Sequence, residues 1–211
     1  MSAQQTRDRL ITGVLETVRE LGVTGVSARV VAARAGVNQA LIFYHFGSVD
    51  DLLAEACRLE TTRRVAVYRD SLSAVNSLRE LLAVGRELNA TERATGNVAL
   101  VAQLLAAAHG NPALRSPTAE ALQLWTDEIE RVLQRVLAAG PFDGLLDPPS
   151  LAHSVSAAFI GLELFGTVAP EQTEHALSEL DRLGQIAEAV ENLGPVARRA
   201  VRSRLARSAR S

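Results

Sequence analysis

The stretch SARVVAARAGVNQALIFYHFGSVDDLL, residues 27–53, decides how the rest of the chain is read. Ser27 is a helix-capping residue type, and residues 28–35 hold a helical pattern until Gly36, which can take the left-handed backbone that ends a helix. Asn38 is a second capping residue, and Val37 before it can pack on Ile42 and so fix the angle at which the next helix begins. The spacing predicts two short helices locked at a steep angle by a turn of only Gly36-Val37. The second ends in Phe43-Tyr44-His45-Phe46, a concentration of aromatics in a chain that has only 4% of them. Ser48 with Asp51 three residues on, and acidic residues in the first turn, then open a long helix over about 49–69.

Outward from this stretch the helical period continues. Leu10, Ile11, Val14, Leu15, Val18 and Leu21 form one apolar face over 4–21, closed by Gly22. Segments near 76–89, 95–109, 117–139, 150–168 and 171–193 are each apolar on one side and separated by HGNPALRSP, GPFDGLLDPPS and APEQ. No strand-like alternation and no repeat of fixed period appears. The expected fold is all-α: a small helical domain over 1–50 and a larger one over 51–211.

Composition narrows the function classes. A chain of 211 residues, 47% apolar, can bury a substantial core. Its net charge of -2 means that any nucleic-acid contact must come from a local patch. One cysteine, Cys57, excludes an internal disulfide and a cysteine-rich zinc site and fits a reducing compartment. The first residues lack a signal-peptide layout, and no run reaches about 18 uninterrupted apolar residues, so a cytoplasmic protein without a membrane span is expected. All 22 basic residues are arginine.

A helix, a sharp glycine turn and a second short helix with a polar start form the layout that places the second helix in a DNA major groove. Ile42 and Phe46, one turn apart, should face the core, leaving Leu41, Phe43 and Tyr44 on other faces, where a monomer gains little from exposing them. The segment 10–53, with its Ala-Gly-Val turn, aromatic helix end and immediately capped following helix, resembles the N-terminal domain of TetR-type transcriptional repressors. The later helices, including AAAHGNPALR, match that family's ligand-binding and dimerisation domain in architecture.

The resemblance implies a homodimer on a palindromic double-stranded DNA operator, released by a small-molecule effector of partly apolar character, with no catalysis and no cofactor. It places Ser27, Arg29, Asn38, Gln39, Ala40, Leu41, Phe43, Tyr44 and His45 at DNA-contact positions. Gln39 can pair with an adenine edge, Ala40 permits close approach, Leu41 can meet a thymine methyl, and Ser27, Asn38, Tyr44 and His45 can donate to phosphate. Family members often carry tyrosine at Phe43, threonine at Leu41 and lysine at Val49. Those departures lead us to expect weaker or more salt-sensitive binding, with Arg7, Arg9, Arg29 and Arg34 compensating. The resemblance also implies that the helices at 150–168 and 171–193, with stripes Val155, Phe159, Leu162 and Leu177, Leu180, Leu183, pair with those of a second subunit. A monomeric core would give the same stripes.

For the effector pocket, Gln103, Leu104, Trp125, Phe159, Glu163 and Phe165 supply apolar walls with a few polar groups, plain core packing being the other reading of each. Glu163 stands within the apolar run AAFIGLELFG, where a carboxylate is exposed, paired or turned to a cavity. Cys57 reads as an inert buried thiol. His109, His153 and His175 share no metal-ligand interval, and no metal site is expected. The arginine-rich end, 197–211, reads as a solvated amphipathic helix, with electrostatic help in DNA binding as the alternative. Two other functions remain in view: a helical enzyme, for which HSVS near 153 is the nearest nucleophile candidate, and a helical ligand-binding or interaction protein with a relic helix-turn-helix.

Overall fold

The computed structural model describes residues 2–208, and they form α1 (Ala3–Leu21), α2 (Ala28–Ala35), α3 (Ala40–Phe46), α4 (Val49–Ser73), α5 (Leu78–Thr95), α6 (Asn97–Gly110), α7 (Arg115–Ala139), α8 (Pro148–Val168), α9 (Pro170–Glu191) and α10 (Pro195–Ser208). Single 3-10 turns lie at Val23–Gly25 and Pro112–Leu114. The all-helical expectation holds. Local chemistry explains the boundaries. Ser2 and Gln5 cap α1 reciprocally, Gln5 N–H donating to Ser2 Oγ at 3.2 Å and Ser2 N–H to Gln5 Oε1 at 2.9 Å. Asp51 N–H donates to Ser48 Oγ at 3.0 Å where α4 begins. Gly36 ends α2 at φ 61°, ψ 41°, the left-handed conformation anticipated for it.

The chain packs as two compact units. The first, up to Val65 and again from Glu92 to Leu124, is here the head; the second, Ala66–Thr91 and Trp125 onward, is the body. This division runs differently from the expected cut at residue 50. The head needs α6 and the start of α7 because the apolar faces of α1, α2 and α3 are too short to enclose a core by themselves.

That head core is continuous. Leu10, Val14 and Val18 of α1 have no exposed surface and pack with Val31 of α2, Ile42 of α3 and Leu52, Leu53 and Ala56 of α4. Leu100, Leu104 and Ala108 of α6 complete it, joined by Leu114 and Ala121. The α1–α2 approach is set by Gly13, where an added Cβ would come within 3.3 Å of the Val31 carbonyl oxygen and 3.4 Å of Ala35 Cβ. Cys57 is buried here, and burial, the largest influence, pushes its thiol pKa up to about 11. It is therefore a poor nucleophile, as its context suggested.

Polar groups tie the head's far-apart segments. Val23 N–H donates to Gln103 Oε1 of α6 at 3.0 Å. Arg19 of α1 donates to Asn97 Oδ1 at 2.9 Å and to Glu60 of α4 at 3.1 Å. Asn97 in turn donates to Glu92 at 3.0 Å, and Glu92, only 3% exposed, pairs with Arg64. A carboxylate that deeply buried is tolerable because its oxygens are met by a guanidinium and an amide.

In the body, Leu72, Val75, Leu81, Val132, Leu133, Val136, Leu137 and Ala152 make the core. Arg135 donates to the carbonyls of Leu72 at 3.1 Å and Val75 at 3.0 Å, satisfying acceptors at and just beyond the C-terminal end of α4. Gly184 of α9 lies against α5, where an added Cβ would come within 2.8 Å of Leu82 Cδ1. Ion pairs Arg79–Glu188 and Arg86–Asp181 flank that contact.

α8 corrects one expectation. It is the one described helix long and apolar enough, by length and composition, to cross a membrane. A search for an uninterrupted run misses it because Ser154, Ser156 and Glu163 break the run without lowering the average far. Only 17% of its apolar window is buried, so it is not a core helix of the body. Leu104, 2% exposed in the head core, supplies a stability test: Leu104→Ala should cost about 2–5 kcal/mol and lower the midpoint of thermal unfolding followed by circular dichroism. An unchanged midpoint would remove α6 from the head's core.

Candidate nucleic-acid interface

Ile42 is fully buried and anchors α3, so the rest of that short helix is oriented by one contact. Phe46, half-buried, packs on the core and lies under Arg7, whose guanidinium carbon is 4.7 Å from the ring centre. Phe43 and Tyr44 are left in solvent, 52% and 80% exposed. Tyr44 meets His45 edge-on at 4.9 Å. Two large exposed aromatics on adjacent positions of a seven-residue helix are costly for a monomer.

Leu41 is placed differently from expectation. It is half-buried and packs against the head core, so less of its side chain is available to a thymine methyl. The start of α3 also differs by a residue. Asn38 lies outside the helix and its Oδ1 accepts from Ala40 N–H at 2.8 Å, a cap offset outward that leaves the amide NH2 as its outward-facing donor. Gln39 and Ala40 are exposed in the first turn, and Ser27 and Arg29 are exposed where α2 begins. Ser27 Oγ accepts from Val30 N–H at 3.4 Å, which leaves its hydroxyl hydrogen for another acceptor. Of the nine predicted DNA-contact residues, Ser27, Arg29, Asn38, Gln39, Ala40, Phe43 and Tyr44 are exposed, whereas Leu41 and His45 are half-buried.

Electrostatics separate the head's arginines in a way that sequence did not reveal. Arg7 is paired with Glu55 at 3.3 Å and covers Phe46. Arg34 grips Glu20 through two bonds of 2.7 and 2.6 Å, which hold the Glu20 carboxyl below its ordinary range and raise Arg34. Arg9 donates to the Gly36 carbonyl at 3.4 Å, over the turn itself. Arg29 has no ion pair or hydrogen bond among the described residues, and it lines a shallow open groove of about 530 Å³ with Val30, Ala33 and Arg34. Of the four arginines expected to compensate for the missing contacts, then, Arg29 alone is unengaged.

The six residues expected around an effector do not form one group. Gln103 and Leu104 belong to the head, where the first accepts from Val23 and the second fills the core. Trp125, Phe159, Glu163 and Phe165 belong to the body. Trp125 is half-buried and stacks at a tilt on Tyr68, with ring centres 6.0 Å apart. Phe159 is half-buried and Glu163 buried, but Phe165 is 67% exposed on the outside of α8. Two body features were missed. Thr126 and Ser156 hydroxyls meet at 3.2 Å between α7 and α8, and Asn89 of α5 is buried with no hydrogen-bond partner for its Nδ2. Only tertiary packing distinguishes such an amide from any other asparagine.

An exposed polar and aromatic second helix, held at a fixed angle by a left-handed glycine turn and a buried isoleucine, defines a helix-turn-helix DNA-binding transcriptional regulator. Comparison with known proteins agrees. The profile of bacterial regulatory proteins of the tetR family matches residues 12–56. The structure of the multidrug binding protein EbrR in complex with imidazole is 30% identical, with a TM-score of 0.61, covering 84% of this chain and 93% of that one. A TetR-family transcriptional regulator from Rhodococcus sp. is 26% identical with a TM-score of 0.72, covering 87% and 98%. An uncharacterized HTH-type transcriptional regulator of Mycobacterium tuberculosis is 22% identical over 139 residues, 66% of this chain and 71% of the relative. The chain belongs to the TetR family, and the relic reading is not favoured.

The contrast among the arginines is testable. Arg29→Gln should weaken binding to operator and unrelated duplex alike and lower the slope of log K against log salt by about 1. Arg34→Gln, removing a cation already held by Glu20, should change that slope by much less. Equal effects in a salt-titrated anisotropy assay would contradict this assignment.

Proposed function

We propose that this protein is a repressor that binds a palindromic operator as a homodimer in the cytoplasm and leaves it when a small molecule occupies the body; it carries out no catalysis. The observation that carries the DNA-reading part is the solvent-exposed set Gln39, Ala40, Phe43 and Tyr44 on a helix anchored by Ile42. Gln39 reads an adenine edge, Ala40 permits close approach, and Tyr44 and the Asn38 amide donate to phosphates. Two such helices must stand about 34–36 Å apart to enter successive major grooves.

The dimer reading is supported by an apolar surface that the single chain leaves uncovered. Leu164, Phe165 and Val168 of α8 and Leu183 and Ile186 of α9 are 53% to 79% exposed. The stripes anticipated from sequence are less exposed: Val155, Phe159, Leu162, Leu177 and Leu180 are half-buried, and among those six only Leu183 faces solvent. Seated against the same face of a second copy, these side chains make an isologous four-helix contact. Phe165 therefore serves better as an interface residue than as a pocket wall.

The effector reading rests on the body's Trp125, Tyr68, Phe159, Glu163 and the unsatisfied Asn89 amide. They suit a partly apolar molecule with an acceptor for Asn89 and a donor or positive charge for Glu163. EbrR is described as a multidrug binding protein, which favours a pocket of this aromatic kind. Release follows if the molecule binds the dimer spacing that does not fit DNA more tightly than the one that does.

Fluorescence anisotropy with DNA from upstream of the protein's own gene tests the reading. Gln39→Ala should lose about 1–3 kcal/mol on the selected duplex and almost nothing on an unrelated one. Phe165→Glu should yield a monomer by light scattering and abolish selective binding. A dimeric Phe165→Glu would move the interface elsewhere, and wild-type binding without selectivity in unbiased DNA selection would end the operator reading.

A further inference from the structure

The arginine-rich segment at α10 has no part in the head or in the body core. Residues 197–211 carry six arginines and no carboxylate, whereas the preceding residues carry 16 arginines against all 24 carboxylates. The body and head are therefore net negative and this segment is strongly positive. The carboxylates elsewhere are not idle targets for it. Glu55, Glu92, Glu128, Asp181 and Glu188 are each held by an arginine outside α10. Within α10, the side chains whose burial is described are exposed, save a half-buried Val201.

The head, by contrast, is short of cations. Arg7, Arg9 and Arg34 are engaged internally, and only Arg29 stands unengaged near the recognition helix. Val49 occupies a position where relatives often place lysine. Phosphate neutralisation supplies most sequence-independent affinity for DNA, so the head by itself is poorly equipped for it.

We infer that α10 and the arginines following it form a second, sequence-independent nucleic-acid contact, which binds the phosphate backbone of duplex DNA and supplies the electrostatic affinity that the recognition head lacks. Double-stranded DNA presents about one negative charge per 1.7 Å of axis, a density that paired surface carboxylates do not match. A lipid surface fits less well. By sequence spacing, Arg198, Arg199, Arg202, Arg204 and Arg207 spread round the helix instead of gathering opposite one apolar face, and α10 has no aromatic residue to sit at a membrane interface. The inference rests on the DNA-binding reading for its biological sense, but its test does not.

The experiment uses the full chain and the variant R198Q/R199Q/R202Q/R204Q/R207Q, with the five-lysine counterpart as a control that keeps the charge. Anisotropy is measured from low to physiological salt on an unrelated duplex and on the upstream fragment. Removal of the charge should lower the slope of log K against log salt by about 0.9 for each arginine that had neutralised a phosphate, a fall of ~2 or more. Affinity at low salt should drop on the order of tenfold or more on both duplexes, with selectivity between them retained and lysine restoring most of the loss. Unchanged circular dichroism and thermal midpoint confirm an intact fold.

An unchanged slope on the unrelated duplex would overturn the inference, whatever the upstream fragment does. If the glutamine variant kept its DNA slope but lost binding to vesicles of phosphatidylglycerol and phosphatidylcholine, or changed its mass by light scattering, the segment would serve a membrane or a second copy instead. Failure of the operator reading is separate, since it appears as absence of selectivity in the wild type.

Discussion

The burial of Ile42 is the contact from which the DNA-binding surface follows. α3 is only seven residues long and makes no side-chain cap at its first residue, so isolated in water it would not hold a helix. Anchoring one side chain among Leu10, Val14, Val31 and Leu52 fixes both its existence and its rotation. Once Ile42 points inward, Gln39, Ala40, Phe43 and Tyr44 have no core to enter. The Gly36 turn sets the angle, and Gly13 permits α1 to lie close enough to α2 that the angle is preserved. What the head offers to DNA is thus the complement of what its core consumes.

The same core spends the head's charge. Arg34 and Arg7 hold α2 and α3 in place through Glu20, Glu55 and Phe46, and an arginine committed to a carboxylate neutralises no phosphate without breaking that pair. Exposed pairs of this kind add little stability individually. Their functional consequence is larger. A recognition head with few unengaged cations reads sequence while contributing modest long-range attraction, and a chain with net charge -2 has no global field to offset this. The concentration of arginine in α10 is the compositional counterpart of that deficit.

In the body, polar and apolar groups are arranged for contact with something besides the chain itself. The uncovered leucines, isoleucine, valine and phenylalanine of α8 and α9 form a surface of the size and chemistry that a second copy covers. The buried Asn89 amide, lacking a partner, is the opposite case: a donor withdrawn from water at a cost that a bound acceptor would offset. Both features lie in the unit whose sequence varies most freely within an architecture, because packing demands only apolar faces of suitable spacing.

The sequence by itself determined the helical class, the helix-turn-helix with its caps and left-handed glycine, the exposure of Phe43 and Tyr44, and the inert burial of Cys57. These are local or periodic properties, settled by a residue's own conformational preferences and by which positions share a helix face. Tertiary structure alone decided that α6 belongs to the head, that Leu104 and Gln103 serve its core and its 3-10 turn, that Leu41 leans inward, that Phe165 lies outside, and which of four similar arginines is unengaged. Those outcomes depend on partners 14 to 80 positions distant, as with Arg34 and Glu20 or Val23 and Gln103. Spacing along one helix carries no information about which carboxylate or amide another helix will bring beside it.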